Sequence, residues 1–216
     1  MIRALRRKLQ RSRYYGAWKQ LGTLPDYWYW RLRGKPIRSP HYVKQQTVKQ
    51  YAREFDLHVL VEAGTYFGEM VQATRRHFRE IYSVELEDWL FERARQKFSR
   101  YPHVHVLHGN SEVLIPQIVS QLTEPALFWL DAGYYGFAGA VGNPDRIVIE
   151  LTAIFAHAIS DHVVLIDDAR GFSGQNGAAG IDDLKELVAR KAPGRVLEVR
   201  DDIVRIHKPR TIPRLF

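Results

Sequence analysis

The sequence predicts an α/β protein built on a doubly wound, mostly parallel sheet of seven strands. Three observations carry this. Between residues 57 and 190, short apolar runs alternate five times with segments of helical periodicity, which is the order of strands joined by crossover helices. The runs are nearly continuous in apolar residues, as strands covered on both faces must be. After the last helical segment, residues 195–200 and 203–208 flank Asp201-Asp202 and read as a terminal hairpin.

The elements follow in order. Residues 42–54 read as a helix, with Val43, Thr47, Val48 and Tyr51 near helical spacing. LHVLVEA (57–63) is the first strand, Gly64 and Gly68 bracket a turn, and 68–79 reads as a helix. IYSVE (81–85) is the second strand. A helix over 87–99 places Leu90, Phe91, Ala94 and Phe98 on one face. VHVL (104–107) and a helix over 111–121 come next, then ALFWLD (126–131), a glycine-rich loop and a helix over 145–159. HVVLID (162–167) and a second glycine-rich loop lead to a helix over 181–190.

Composition bounds the rest. The chain has 216 residues, of which 45% are hydrophobic and 26% charged, a globular balance that excludes wholesale disorder. It has 0 Cys, which removes disulfides, thiolate metal sites and cysteine nucleophiles together. No apolar run approaches the ~18 residues of a membrane span, and MIRALRRKLQRSR lacks the apolar region of a secretory signal. A cytoplasmic protein is the expectation. The net charge of +8 is lopsided: residues 1–40 hold eleven Lys and Arg against Asp26 alone, and the remainder is close to neutral. That basic arm is also aromatic, with Tyr14, Tyr15, Trp18 and the run Tyr27–Trp30. Pro25, Gly34, Pro36 and Pro40 punctuate it, so no continuous helix is expected beyond Gln20. The expected division is an arm over 1–40, one domain over 41–208 and a tail over 209–216.

In sheets of this kind ligands bind outside the carboxyl ends of the strands. Glu62, Gly64, Thr65, Tyr66 and Gly68 form an E-x-G-x-x-x-G turn there, in which glycine lets backbone approach a ligand closely. It is neither G-x-G-x-x-G nor a P-loop. Glu85 ends the second strand about 20 residues on, where an acid accepts hydrogen bonds from ribose hydroxyls.

These pieces resemble those of a class I S-adenosylmethionine-dependent methyltransferase. VEAGTYFGEMV (61–71), IYSVELED (81–88), LHGNSEVL (107–114), ALFWLDAGYYG (126–136) and HVVLIDDARGFSG (162–174) match its five motifs, over about 41–208. FWLDA and LIDDAR are similar to a bacterial group associated with polysaccharide and glycolipid gene clusters, and to the macrocin O-methyltransferases, which methylate sugar hydroxyls with help from Mg²⁺. The resemblance implies the Rossmann-like methyltransferase fold with strand order 3-2-1-4-5-7-6. It implies that Glu62, Gly64, Thr65, Tyr66 and Gly68 hold the methionine moiety of S-adenosylmethionine, that Glu85 binds the ribose, and that Asn110 and Ser111 lie at the adenine. Asp131 falls on a position that serves cofactor and catalysis.

Asp131, Asp167 and Asp168 end neighbouring strands, ~4.8 Å apart. Three carboxylates converging there repel one another, and Mg²⁺ with its oxygen ligands would resolve this; in the macrocin-like enzymes the matching acids bind that metal. The sequence departs from both groups at Gly133, where they carry an acid or a histidine, so no general base carries over. Tyr134, Tyr135, His41, His108 and His157 are candidates by residue type alone.

The expected function is O-methylation of a carbohydrate or glycolipid hydroxyl, small or lipid-linked, assisted by Mg²⁺. Two alternatives stay open: a noncatalytic module of the same fold in a glycan-assembly complex, and an RNA methyltransferase suited to the basic, aromatic arm. Against nucleic acid stands the absence of an N/D-P-P-Y/F motif. The arm is expected to contact an anionic membrane face, where basic side chains and amphipathic rings both settle, with nucleic acid, an acidic protein, or simple packing of the aromatics on the domain with solvated bases as the alternatives. A homo-oligomer is compatible with everything above.

Overall fold

Strand after strand, the apolar runs pair in the order the resemblance implies. The computed structural model describes residues 23–34, 39–130, 144–174 and 179–210. Its helices are α1 (Thr23–Leu32), α2 (His41–Glu54), α3 (Glu69–Thr74), α4 (Asp88–Phe98), α5 (Ser111–Gln121), α6 (Pro144–Ala156) and α7 (Ile181–Lys191). Its strands are β1 (Val59–Ala63), β2 (Glu80–Glu85), β3 (Val104–His108), β4 (Ala126–Leu130), β5 (Val163–Ile166), β6 (Val196–Arg200) and β7 (Ile203–His207). They form one sheet in the order β3-β2-β1-β4-β5-β7-β6. Only β7 runs against its neighbours. The chain thus has the seven-stranded, mostly parallel sheet expected.

Alternation along the central strands divides the core. Val59, Val61 and Ala63 of β1 join Phe128 of β4 and Val164 of β5 beneath Ile115 of α5, Leu151 of α6 and Leu187 of α7. Leu60, Leu127, Trp129 and Leu165 point the other way, onto Tyr51 of α2, Val71 of α3 and Phe98 of α4. Each central strand is buried along its whole length, which explains why these runs carry no polar alternation.

Two expectations need correction. The helix expected over 68–79 ends at Thr74. The Thr74 hydroxyl bonds back to the Met70 carbonyl at 2.7 Å, and Arg79 N–H donates to the His58 carbonyl at 2.8 Å. The chain must turn before Arg79 to bring β2 into register with β1. The other correction is α1, which forms where Pro25 was expected to prevent a helix. Pro25 lies in its first turn, where no backbone N–H is needed, and Gly34 closes it at φ +76°. Tyr27 of α1 meets Tyr42 of α2 with ring centroids 5.3 Å apart, and Trp30 is only 5% exposed. The opposite side is open: Trp28 is 56% exposed, Tyr29 60% and Leu32 85%. Among the described residues no helix is long and apolar enough to cross a membrane.

Two buried titratable groups set opposite pH slopes. His162 Nδ1 accepts the Ala126 N–H at 3.0 Å, so its proton sits on Nε2, 2.9 Å from His157 Nδ1. Burial, helped by nearby His157 and Arg195, pushes its pKa down to about 4. Glu150 on α6 is fully buried, and neither carboxyl oxygen meets a hydrogen-bond partner of good geometry. Burial pushes its pKa up to about 7, opposed by the Ser111 hydroxyl beside it.

From pH 6.5 down to about 4 the unfolded chain takes a proton at residue 162 that the folded one refuses, so acid destabilises through His162. From pH 4.5 up to about 7 the unfolded chain releases a proton that folded Glu150 keeps, so the stability Glu150 has in acid is lost as pH rises. Each effect is worth at most about 3 kcal/mol. Thermal unfolding should show Glu150→Gln melting above wild type at pH 8, with the gap shrinking toward pH 4.5. His162→Asn, which keeps an acceptor for Ala126, should lose less stability than wild type between pH 6.5 and pH 4.5. Parallel pH profiles for all three proteins would contradict both assignments.

Candidate functional site

The site is built around the turn that leaves β1. Gly64 has φ +94°, Tyr66 +50° and Gly68 +66°. The N–H groups of Gly64 and Thr65 both donate to the Val84 carbonyl, at 2.9 and 3.1 Å, which fastens the turn onto β2. At Gly68 a Cβ would lie 2.5 Å from a ring carbon of Phe98, so only glycine lets α3 start this close to α4. Tyr66 is not glycine, and its left-handed backbone costs ~1–2 kcal/mol. Glu85 offsets this. Its Oε2 accepts the Tyr66 N–H at 2.7 Å and its Oε1 accepts the Glu87 N–H at 3.0 Å. Such charge-assisted bonds are the strong kind, and they tie the loop after β1 to the loop after β2. Each carboxylate oxygen retains a further acceptor position.

A second carboxylate lies beneath the turn. Glu62 is buried in the middle of the sheet, aligned with Ser83 on β2 and Trp129 on β4. The Ser83 hydroxyl donates to Glu62 Oε2 at 2.5 Å. It has one proton, so the Thr65 hydroxyl, 2.6 Å away, must donate to it. The relay from Thr65 through Ser83 to Glu62 aims one face of the turn into the sheet.

Above the carboxyl ends of β1 and β4, where the strand order reverses, lies an open cleft. Its floor includes Glu62, Gly64 and Trp129, and α2 supplies His41, Lys44 and Gln45 at i, i+3 and i+4. The chain here fits an adenosyl cofactor: Gly64 offers backbone with no Cβ, and Glu85 offers two acceptor oxygens fixed beside it.

Asn110 has a role the sequence reading did not assign. Its Oδ1 accepts the Glu112 N–H at 3.0 Å and caps α5, with Ser111 buried behind it. Of the histidines singled out by type, His41 stands at the cleft, its Nδ1 3.6 Å from Glu69. His108 stacks on Phe91. His157 pairs with His162 at the amino end of β5, away from the cleft.

The acidic end differs from the expectation. Asp131, with Gly133, Tyr134 and Tyr135, lies outside the described residues. Asp167 and Asp168 follow β5, Asp168 with φ +53°. The Lys44 ammonium bridges them, touching Asp167 Oδ2 and standing 3.4 Å from Asp168 Oδ1. Asp167 Oδ1 accepts the Asp168 N–H at 2.8 Å. Arg170 Nη2 lies 2.8 Å from Asp168 Oδ1, and Nη1 holds Asp202. Between Asp167 and Asp168, two of the three acids expected to call for Mg²⁺, the repulsion is relieved by an ammonium and a guanidinium. Among the described residues no three His, Asp or Glu are grouped to hold a metal ion. Asp167 and Asp168 as placed, with Lys44 and Arg170 seated on them, do not fit one.

No family model matches the sequence, and no curated protein matches it. Solved structures do share its fold. An SAH-bound methyltransferase of Podospora anserina is 19% identical, with 87% of this chain and 88% of that one aligned at a TM-score of 0.57. The O-methyltransferase TomG of Streptomyces achromogenes, involved in tomaymycin synthesis and solved with SAM, is 15% identical over 87% and 90%, at 0.58. An O-methyltransferase of Bacillus cereus in complex with SAH is 15% identical over 87% and 91%, at 0.56. The architecture is thus the Rossmann-like fold of class I methyltransferases.

Proposed function

We propose that the chain is an S-adenosylmethionine-dependent O-methyltransferase whose acceptor is a carbohydrate or glycolipid hydroxyl. The observation that carries this is Glu85, fixed by two backbone N–H groups beside the Gly64 turn at the sheet's switch point. The likeness to SAM- and SAH-bound methyltransferases supports the same reading. When bound, the cofactor supplies an electrophilic methyl group on a sulfonium. The chain's part is placement. Glu85 accepts from vicinal hydroxyls, and Gly64 admits the ligand against bare backbone. Buried Glu62 and Glu85 make the pocket suited to a cationic ligand. The acceptor oxygen must be brought in line with the methyl at ~3–3.5 Å, and the cleft under α2 is where it would enter. His41, Gln45 and the exposed edge of Tyr66 line that entrance, a mixture of hydrogen-bonding groups and a ring that suits a sugar. Asp131 remains the proposed catalytic contact at the end of β4.

The reading extends to where the acceptor is met. The outer side of α1 presents Trp28, Tyr29 and Leu32, with the Arg33 guanidinium 4.8 Å from the Tyr29 ring and that of Arg31 6.0 Å from Trp28. Residues 1–22 add seven bases and no acid. Apolar rings among cations match an anionic bilayer surface, where each Lys or Arg contributes about 1 kcal/mol. A lipid-linked acceptor is presented at such a surface.

Calorimetry should find one S-adenosylmethionine bound per chain, and Glu85→Ala should weaken it roughly tenfold to a hundredfold, the worth of ~1.5–3 kcal/mol of charged hydrogen bonding. No binding at millimolar cofactor would overturn the enzyme reading and leave a noncatalytic module of this fold. For the surface contact, the full chain should sediment with phosphatidylserine-containing vesicles at low salt and be released at high salt. Trp28→Ala with Leu32→Ala should reduce sedimentation severalfold; unchanged sedimentation of that variant would reject the α1 face.

A further inference from the structure

The cleft's acceptor end carries an internal cation. We propose that the Lys44 ammonium is the resident cation between Asp167 and Asp168, and that this end of the site therefore takes up no divalent metal. The inference rests on the methyltransferase reading for its meaning in catalysis, but its physical content stands on the side chains alone.

Geometry comes first. Lys44 reaches from α2 across the cleft to both carboxylates at once, binding residues 123 and 124 positions away. A Mg²⁺ ion bound by both acids needs an oxygen of each at ~2.1 Å, with several waters completing an octahedron. One oxygen of each acid is already engaged by Lys44. Asp167 Oδ1 is held by a backbone N–H, and Asp168 Oδ1 is shared with Arg170.

Charge bears on the same point. The described cluster sets two cations, Lys44 and Arg170, among three carboxylates, with Asp202 binding Arg170 through both its backbone N–H and its guanidinium. A divalent ion entering this cluster meets two cations already seated. Shelter makes the arrangement persistent: the Asp167 side chain is 2% exposed and that of Lys44 12%. Breaking a buried ion pair by removing one partner leaves an uncompensated charge, so outside ions exchange poorly against a tethered ammonium. The position of α2 is fixed independently, by Gln45 on the Glu69 carbonyl and His41 near the Glu69 carboxylate, so Lys44 is delivered to the acids by the fold.

The consequence is chemical. An ammonium is a point charge that holds and orients carboxylates, but it lacks the Lewis acidity by which a bound metal activates an oxygen. Lys44 is accordingly a positioning residue, and the site works in chelator.

The test uses the full chain and Mn²⁺ as probe, with free Mn²⁺ read by electron paramagnetic resonance. Wild type should show no saturable site below millimolar Mn²⁺. Lys44→Met, which keeps the packing of the stem, and Lys44→Ala should each gain one Mn²⁺ per chain at least tenfold more tightly. Adding Asp167→Asn should abolish the gain. One micromolar Mn²⁺ on wild type, lost with Asp167→Asn, would overturn the proposal. So would folded Lys44 variants that bind Mn²⁺ no better than wild type, since the acid pair would then be no cation site. Calorimetry with S-adenosylmethionine in EDTA, on the same preparation, keeps the readings apart: absent cofactor binding defeats the methyltransferase reading, while the Mn²⁺ titrations still decide the role of Lys44.

Discussion

The site depends on the Glu85 carboxylate accepting the N–H of Tyr66. Parallel strands bring the ends of β1 and β2 side by side but leave the loops that follow them free to choose their paths. Glu85 fixes both, one with each oxygen, and it can do so because Val84 and Ala63 are register partners and the Val84 carbonyl already holds the start of the turn. The turn in turn sets where α3 begins, and Gly68 lets that start lie directly on Phe98. One carboxylate therefore serves the fold and the proposed ligand at once. Its acceptor capacity is only half used by the backbone, which is what permits the double role.

A second electrostatic device works at the other end of the cleft. There the acids after β5 meet cations from α2 and from the short turn Ala169–Gly171. The two ends are opposite in design. At Glu85 a carboxylate holds only two backbone N–H groups, while at Asp167 and Asp168 the chain supplies its own counter-charge. That contrast separates the acid proposed to bind the ligand from a scaffold of paired charges more clearly than residue type does.

Much of the fold was legible because fully buried strands are written as apolar runs, and residues 59–63, 126–130 and 163–166 are such runs. Glu85 was legible too, since a βαβ unit ties the spacing between Gly64 and an acid at the end of β2 to a fixed geometry. What escaped were contacts with no spacing rule. Lys44 is one of two lysines in α2, and its partners are more than a hundred residues later, so the sequence set no counter-charge beside the acidic pair. α1 was missed because Pro25 was read as a breaker, when a first-turn proline costs no backbone hydrogen bond. Asn110 read as a ligand group, whereas Asn-Ser-Glu at the head of an apolar helix is also a capping signal.

The central claim is that the Glu85 clamp and the Gly64 turn are the cofactor's seat. Amide resonances followed during titration with S-adenosylhomocysteine test it most directly. The account predicts that the N–H signals of Gly64, Tyr66 and Glu87 shift together and saturate at one ligand per chain. Saturable binding that leaves these three unmoved, and shifts amides elsewhere in the sheet, would contradict it.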